Sequence, residues 1–210
     1  MKSKNSIIRD ALMLFLITLV SGLALSYVFE VTKAPIEEQK ALKLQKANQA
    51  VFVTASNFEE DEALMAAASD LDLGTLSKDY EGIVIADVRK ALSSNGEFLG
   101  YNISVTTNQS YDDSLSLVFG YSKDGVIQGI EFTSLTETAG LGMKAADPEF
   151  KDQFVNKDVT KFTVTKTGAT AEDQIDSISG ATITSRAVAN AVNAGISFVS
   201  EYATEQGGGQ

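Results

Sequence analysis

Two stretches of the 210-residue chain combine residue types that could hold a ligand. The first, Leu135-Thr136-Glu137-Thr138-Ala139-Gly140-Leu141-Gly142, sets two glycines one residue apart behind a carboxylate. Glycine lacks a Cβ, so such a pair lets the backbone approach a bound molecule closely; it equally suits an ordinary turn. The second, Asp176-Ser177-Ile178-Ser179-Gly180-Ala181-Thr182-Ile183-Thr184-Ser185, is dense in hydroxyls directly before a long helical pattern. Unpaired N–H groups and the positive dipole end at a helix start stabilise a phosphate. A helix N-cap also selects Ser or Thr, but a cap needs one hydroxyl.

The missing residue types narrow the chemistry. There is no histidine, no cysteine and no tryptophan, so thiolate and imidazole metal ligands, cysteine-held clusters and His-activated nucleophiles are excluded. No Walker loop or G-x-G-x-x-G fingerprint is present. The carboxylate pairs Asp112-Asp113 and Glu172-Asp173 fall in polar stretches where solvation is the default, and the acidic run Glu59 to Glu62 reads as a solvated face. No catalytic residue and no metal ligand is assigned. A formal net charge of −11 without a basic stripe argues against nucleic acid as a partner.

The elements that must position the two stretches follow from periodicity. Ala11 to Phe29 is an uncharged run of 19 residues, which as a helix covers about 28 Å of hydrocarbon. Lys2, Lys4 and Arg9 precede it, which leaves the amino terminus in the cytoplasm and the remainder outside. A cleaved signal peptide is the competing reading, with Ala24-Leu25-Ser26 as a small-x-small site; the apolar run through Tyr27, Val28 and Phe29 suits an anchor better. Pro35 can open a helix, and Leu44, Ala47 and Val51 recur at helical spacing, giving a stalk. Strand-rich runs begin near Gly82, with hairpin turns at Ser93 to Gly96 and Ser122 to Gly125. Asp147-Pro148 opens a short helix carrying Phe150 and Phe154, KFTVTK reads as a strand, and Val188, Val192, Ile196 and Val199 mark a long final helix. A helix packed on an antiparallel sheet makes the fold class α+β. The expected divisions are 1–33 for the cytoplasmic terminus and transmembrane helix, 34–79 for a helical stalk and linker, 80–204 for the folded domain and 205–210 for a flexible tail. Residues 34–210 hold 13 basic and 26 acidic residues, a net of −13, so the exported part is the acidic part.

Asp176-x-x-Ser179-Gly180-Ala181-Thr182-x-Thr184 resembles the D-x-x-[ST]-G-A-T motif of FMN-binding domains in which FMN is joined through its phosphate to the threonine, and Thr182 matches that threonine. Thr136 to Gly142 is similar to the E-T-P-G-L-G segment of the same domains, with Ala139 where the family often has proline and Leu135 where many members carry histidine. The amino-terminal span ending in Thr32-Lys33-Ala34-Pro35-Ile36 resembles that of G subunits of the Rnf electron-transport complex, so the resemblance covers nearly the whole chain. It implies a single-pass cell-membrane flavoprotein that relays electrons through FMN in an ion-translocating ferredoxin:NAD oxidoreductase complex. It further implies a phosphoester to Thr182, with Ser179, Gly180, Ala181, Thr184, Ser185, Glu137, Thr138, Gly140, Leu141 and Gly142 against the cofactor. Asp176 would be read by a separate flavin transferase, and the other partners are the complex's membrane subunits. The C subunit of a sodium-translocating NADH:quinone reductase, which shares the module, is the runner-up. A cofactor-free extracytoplasmic binding module, in which Ser179 to Ser185 merely caps a helix, is the alternative from another class.

Overall fold

The computed structural model describes residues 4–207, and the chain divides after Lys43 into two units. The described residues of the first lie within helix α1 (Lys4–Val51). Its apolar side chains are exposed along the uncharged run, with Leu14 at 66% and Leu25 at 71%, and the helix is long and apolar enough to cross a membrane. Thr18 and Thr32 turn their hydroxyls back onto the carbonyls of Phe15 (2.9 Å) and Val28 (2.8 Å), so neither presents an unmet donor on that apolar surface. Pro35 was expected to start a helix; instead α1 runs through it. Proline removes one N–H and crowds the carbonyl four residues back, which kinks a helix without having to end it. Of the basic cluster, Lys2 lies outside the described residues.

The second unit is built on a five-stranded antiparallel meander in the order β1 (Asn57–Glu60), β2 (Ile83–Leu92), β3 (Phe98–Thr107), β4 (Leu115–Ser122), β5 (Ile127–Ser134). Both expected hairpins are present, and Leu115, Leu117 and Phe119 alternate onto one face, where they meet Val188, Val192, Ile196 and Val199 of the final helix. Here the helix repeat of 3.6 and the strand repeat of 2 present matching apolar surfaces, which is what holds an α+β pair together. On the opposite face Leu44, Ala47 and Val51 of α1 pack on Val118, and the Asn102 amide donates to the Asn48 carbonyl at 3.0 Å. This compact unit therefore begins at Leu44. Residues 44–79, expected as stalk and linker, supply an edge strand, helix α2 (Glu62–Asp70) and two short 3-10 turns to it. Asp61 departs from the solvated acidic run: it is buried, caps α2 by accepting the Leu64 N–H, and pairs with Lys90 at 3.0 Å. That carboxylate holds the Lys90 ammonium above its ordinary pKa.

Helix α3 (Pro148–Lys151) and the turn after it bring Phe150, Phe154 and Phe162 into edge-to-face contact at 5.6 and 4.9 Å. A separate parallel pair follows, β6 (Thr163–Thr165) with β7 (Gln174–Asp176), before the final helix α4 (Thr182–Gly207). Fully buried Asn193 of α4 accepts the Phe162 N–H at 2.7 Å and donates to the Phe162 carbonyl at 2.9 Å, fixing the approach to β6. Helix α4 continues into the stretch expected as a tail; residues 208–210 lie outside the described residues.

The packing of α4 on the sheet is tightest at Gly195, where a Cβ would lie 2.5 Å from two ring carbons of fully buried Phe119. Alanine gains about 1 kcal/mol of helix propensity, whereas overpacking against an immobile ring costs about 1–3 kcal/mol. Gly195→Ala is therefore expected to lower the denaturation midpoint of the full chain in detergent. A raised midpoint would show that the ring yields.

Candidate functional site

The hydroxyl-rich stretch is shaped by what lies on either side of it. The last rung of the parallel pair sets Thr165 opposite Asp176, and the Ser177 N–H continues it by donating to the Thr165 carbonyl at 2.8 Å. The Gln153 side chain accepts the Asp176 N–H at 2.6 Å, which fixes that backbone and leaves the Asp176 side chain exposed. The chain then turns through Ile178 to Ala181, closed by the Ala181 N–H on the Ile178 carbonyl at 2.9 Å. Gly180, third in this turn, has a φ of +78°, which glycine adopts freely.

Helix α4 opens at Thr182, and its first i to i−4 bond is the Ser185 N–H to the Ala181 carbonyl at 3.0 Å. The amides of Thr182, Ile183 and Thr184 precede that bond and belong to the unpaired set at a helix start. Thr184 and Ser185 do not cap them. Helical rotation carries both side chains onto the buried face: Thr184, 1% exposed, donates its hydroxyl to Glu137 Oε1 at 3.1 Å. Ser185, fully buried, accepts the Ile178 N–H at 3.0 Å and donates to the Ala181 carbonyl at 2.9 Å. Thr182, a half-buried residue on the open side, makes no side-chain hydrogen bond among the described residues.

The glycine-bearing stretch leaves β5 and folds against this helix start. Glu137 is 9% exposed, and its Oε1 accepts both the Thr184 hydroxyl and the Tyr111 N–H, the latter at 3.0 Å. Thr138 donates to Asp112 at 2.9 Å, so Asp112, expected as one of a solvated pair, has a structural partner. Gly140 takes a φ of +77° in the turn that follows, whereas Gly142 is required by close approach: a Cβ there would meet Glu137 Oε2 at 2.7 Å and Glu137 Cβ at 2.8 Å.

The two stretches together line a pocket of about 720 Å³, within the range of about 300–1,000 Å³ for small-molecule sites. Glu137, Thr138, Leu141 and Gly142 contribute from one side, and Ser179, Gly180, Ala181, Thr182 and Thr184 from the other. Gly140 and Ser185 are not among the lining residues, and Asp176 opens onto a separate polar groove beside Glu149 and Glu172. Sequence reasoning missed Tyr111 and Lys166 and gave Ser177, Ile178 and Ile183 no role of their own within the hydroxyl-rich stretch; all five line the pocket. Lys166 arrives there because the β6–β7 ladder sets its neighbour Thr165 against Ser177; no local pattern signals that pairing. In a domain where Arg89, Lys90, Lys123, Lys151 and Lys161 are paired with carboxylates, Lys166 has no such partner among the described residues. Tyr111, Leu141 and Ile183 are 67%, 41% and 53% exposed, giving the pocket an apolar rim.

Residues 111–197 match the FMN-binding domain family, a span that includes both stretches, and residues 1–51 match the RnfG N-terminal region. The lining suits that cofactor: an apolar rim for a planar ring, and a lysine with helix-start amides for a phosphate. Fold and site thus define an FMN-binding domain carried behind an apolar helix. The chain is 34% identical over 187 residues to the G subunit of the Na⁺-translocating ferredoxin:NAD⁺ oxidoreductase complex of Acetobacterium woodii, covering 88% of this chain and 87% of that one. It is 29% identical over 202 residues to the G subunit of the ion-translocating oxidoreductase complex of Methanosarcina acetivorans, covering 95% and 98%. It belongs to this family of G subunits of ion-translocating oxidoreductase complexes. Among solved structures, NqrC of Shewanella oneidensis overlays with a TM-score of 0.49 at 16% identity, over 74% of this chain and 72% of that one.

The two glycines should respond differently to alanine. Gly142→Ala pushes Glu137 off its partners, so the Tyr111 amide should exchange hydrogen faster and the thermal midpoint should fall. Gly140→Ala strains a left-handed residue by about 1–2 kcal/mol but leaves Tyr111 protected. Equal protection of Tyr111 in both variants would show that Gly142 does not support the Glu137 contact.

Proposed function

We propose that this chain is the flavin-carrying subunit of an ion-translocating ferredoxin:NAD⁺ oxidoreductase complex, relaying electrons through FMN joined by a phosphoester to Thr182. The observation that carries this reading is the sorting of hydroxyls at the start of α4. Thr184 and Ser185 are enclosed and hydrogen-bonded within the protein, whereas Thr182 lines the pocket with its hydroxyl uncommitted. The motif match points to the same residue, and the G-subunit relatives support the same role. A bound flavin supplies the one- and two-electron chemistry, so the chain needs no His or Cys of its own. Its residues attach and orient: Lys166 and the first amides of α4 offset phosphate charge, and Leu141 and Ile183 offer apolar surface to the ring. A covalent link replaces a binding equilibrium with a fixed local concentration.

In this reading α1 is a single-pass anchor in the cell membrane, with the positive cluster before it cytoplasmic and the flavin domain outside. A flavin transferase reads Asp176 and the Ser179-Gly180-Ala181 turn, which are reachable because Asp176, Ser179 and Gly180 are exposed. The remaining partners are the other subunits of the complex.

Thr182→Ala should lose all covalent flavin while remaining folded, since its side chain holds no contact whose loss destabilises the domain. Thr184→Ala should keep the flavin but lose about 1.5–3 kcal/mol, the worth of a hydrogen bond to a charged group. Mass spectrometry of the intact chain and of the peptide spanning Gln174 to Arg186 checks both; an adduct surviving in Thr182→Ala, or mapped to Thr184, overturns the assignment. For topology, protease added to spheroplasts should digest the chain beyond about residue 34 and spare the amino terminus. A protected flavin domain would reverse the orientation.

A further inference from the structure

Glu137 has two carboxylate oxygens with different surroundings. Oε1 is saturated by the Tyr111 N–H and the Thr184 hydroxyl, and through these two bonds it ties the β3–β4 loop to the start of α4. Oε2 receives no donor among the described residues and lies over Gly142. It is not sealed in: among the described residues, the enclosed side-chain polar atom without a partner is Asn102 Oδ1, on the far side of the sheet where Asn102 faces α1. Glu137 lines the pocket, and Oε2 is its oxygen without a protein donor among the described residues.

The clamp itself does not require a charge. Both of its donors need only an acceptor, which a glutamine amide oxygen would supply with the same reach. Holding a carboxylate nine-tenths buried is costly unless it is paired, and no lysine or arginine among the described residues forms an ion pair with Glu137. The oppositely charged group facing the same pocket is Lys166. A negative charge kept in place and turned toward a cofactor pocket acts on whatever is reduced there.

We infer that Glu137 tunes the flavin's reduction potential through its pocket-facing oxygen, while its other oxygen holds the site together. This rests on the FMN reading above. A fixed negative charge beside the ring disfavours the electron-richer reduced form, and the effect is strengthened where water is excluded. Glu137 is thereby a tuning residue, and the free oxygen is also an acceptor for a hydroxyl or N–H of the cofactor.

The test compares E137Q and E131Q in the full-length, flavinylated protein, with intact mass measured first, then the thermal midpoint and a spectroelectrochemical titration. E137Q keeps an acceptor for both clamp donors and removes the charge. It should retain the adduct, lower the thermal midpoint only modestly as a neutral acceptor replaces a charged one, and shift reduction in favour of the reduced flavin by about tenfold, which is about 30 mV upward for a two-electron couple. E131Q removes a carboxylate charge that is paired with Lys151 outside the pocket; it should leave the potential where it was. An unchanged potential in E137Q, or an equal shift in E131Q, overturns the inference. Should E137Q not fold, E137D takes its place, drawing the charge back by one methylene: a moved potential supports the inference and an unmoved one sinks it. Absence of an FMN adduct in the parent protein would fail the FMN reading and this inference with it, and the mass measurement tells that failure from the other.

Discussion

The hydrogen bond from Thr184 to Glu137 is the contact on which the site depends, because it joins two segments 47 residues apart in sequence. Among the described residues it is the side-chain hydrogen bond that links the glycine-bearing loop to the start of α4 across the pocket they line. The bond is buried and charge-assisted, which places it among the stronger hydrogen bonds a protein makes. Gly142 allows it by leaving room for the carboxylate, and Asn193 supports it from further along α4 by fixing the backbone that leads into β6.

Charge is distributed so that an anion can be accepted by an acidic domain. Arg89, Lys90, Lys123, Lys151 and Lys161 are neutralised by neighbouring carboxylates, whereas Lys166, brought to the pocket by the parallel β6–β7 rung, has no such partner among the described residues. The unpaired amides of α4 add a second, fixed positive field at the same place.

The division of labour between the units follows from where apolar surface is left uncovered. Along the uncharged run of α1 every apolar side chain is exposed and lacks a protein partner to bury it, while from Leu44 onward the same helix lays Leu44, Ala47 and Val51 on the sheet. A single helix thus changes its solvent along its length, from hydrocarbon to protein, as its composition changes from continuous to periodic apolar residues.

Sequence alone determined the features that depend on local periodicity and residue type. These are the apolar span, both hairpins, the short helix opened by Pro148 that carries Phe150, the long amphipathic final helix, and Thr182 as the hydroxyl that follows Gly180-Ala181. It also bounded the chemistry, since a chain without His or Cys must borrow its redox group. Tertiary structure decided what depends on residues distant in sequence. It turned Thr184 and Ser185 inward, because a helix buries the face that meets the sheet and two hydroxyls happen to lie on it. It drew Asp61 out of an acidic run into a cap, joined residues 44–79 to the folded unit, and brought Lys166 and Tyr111 to the pocket. A repeat along the chain shows which face of an element is apolar; which partner covers that face, and which polar groups are trapped at the seam, depends on how the elements meet.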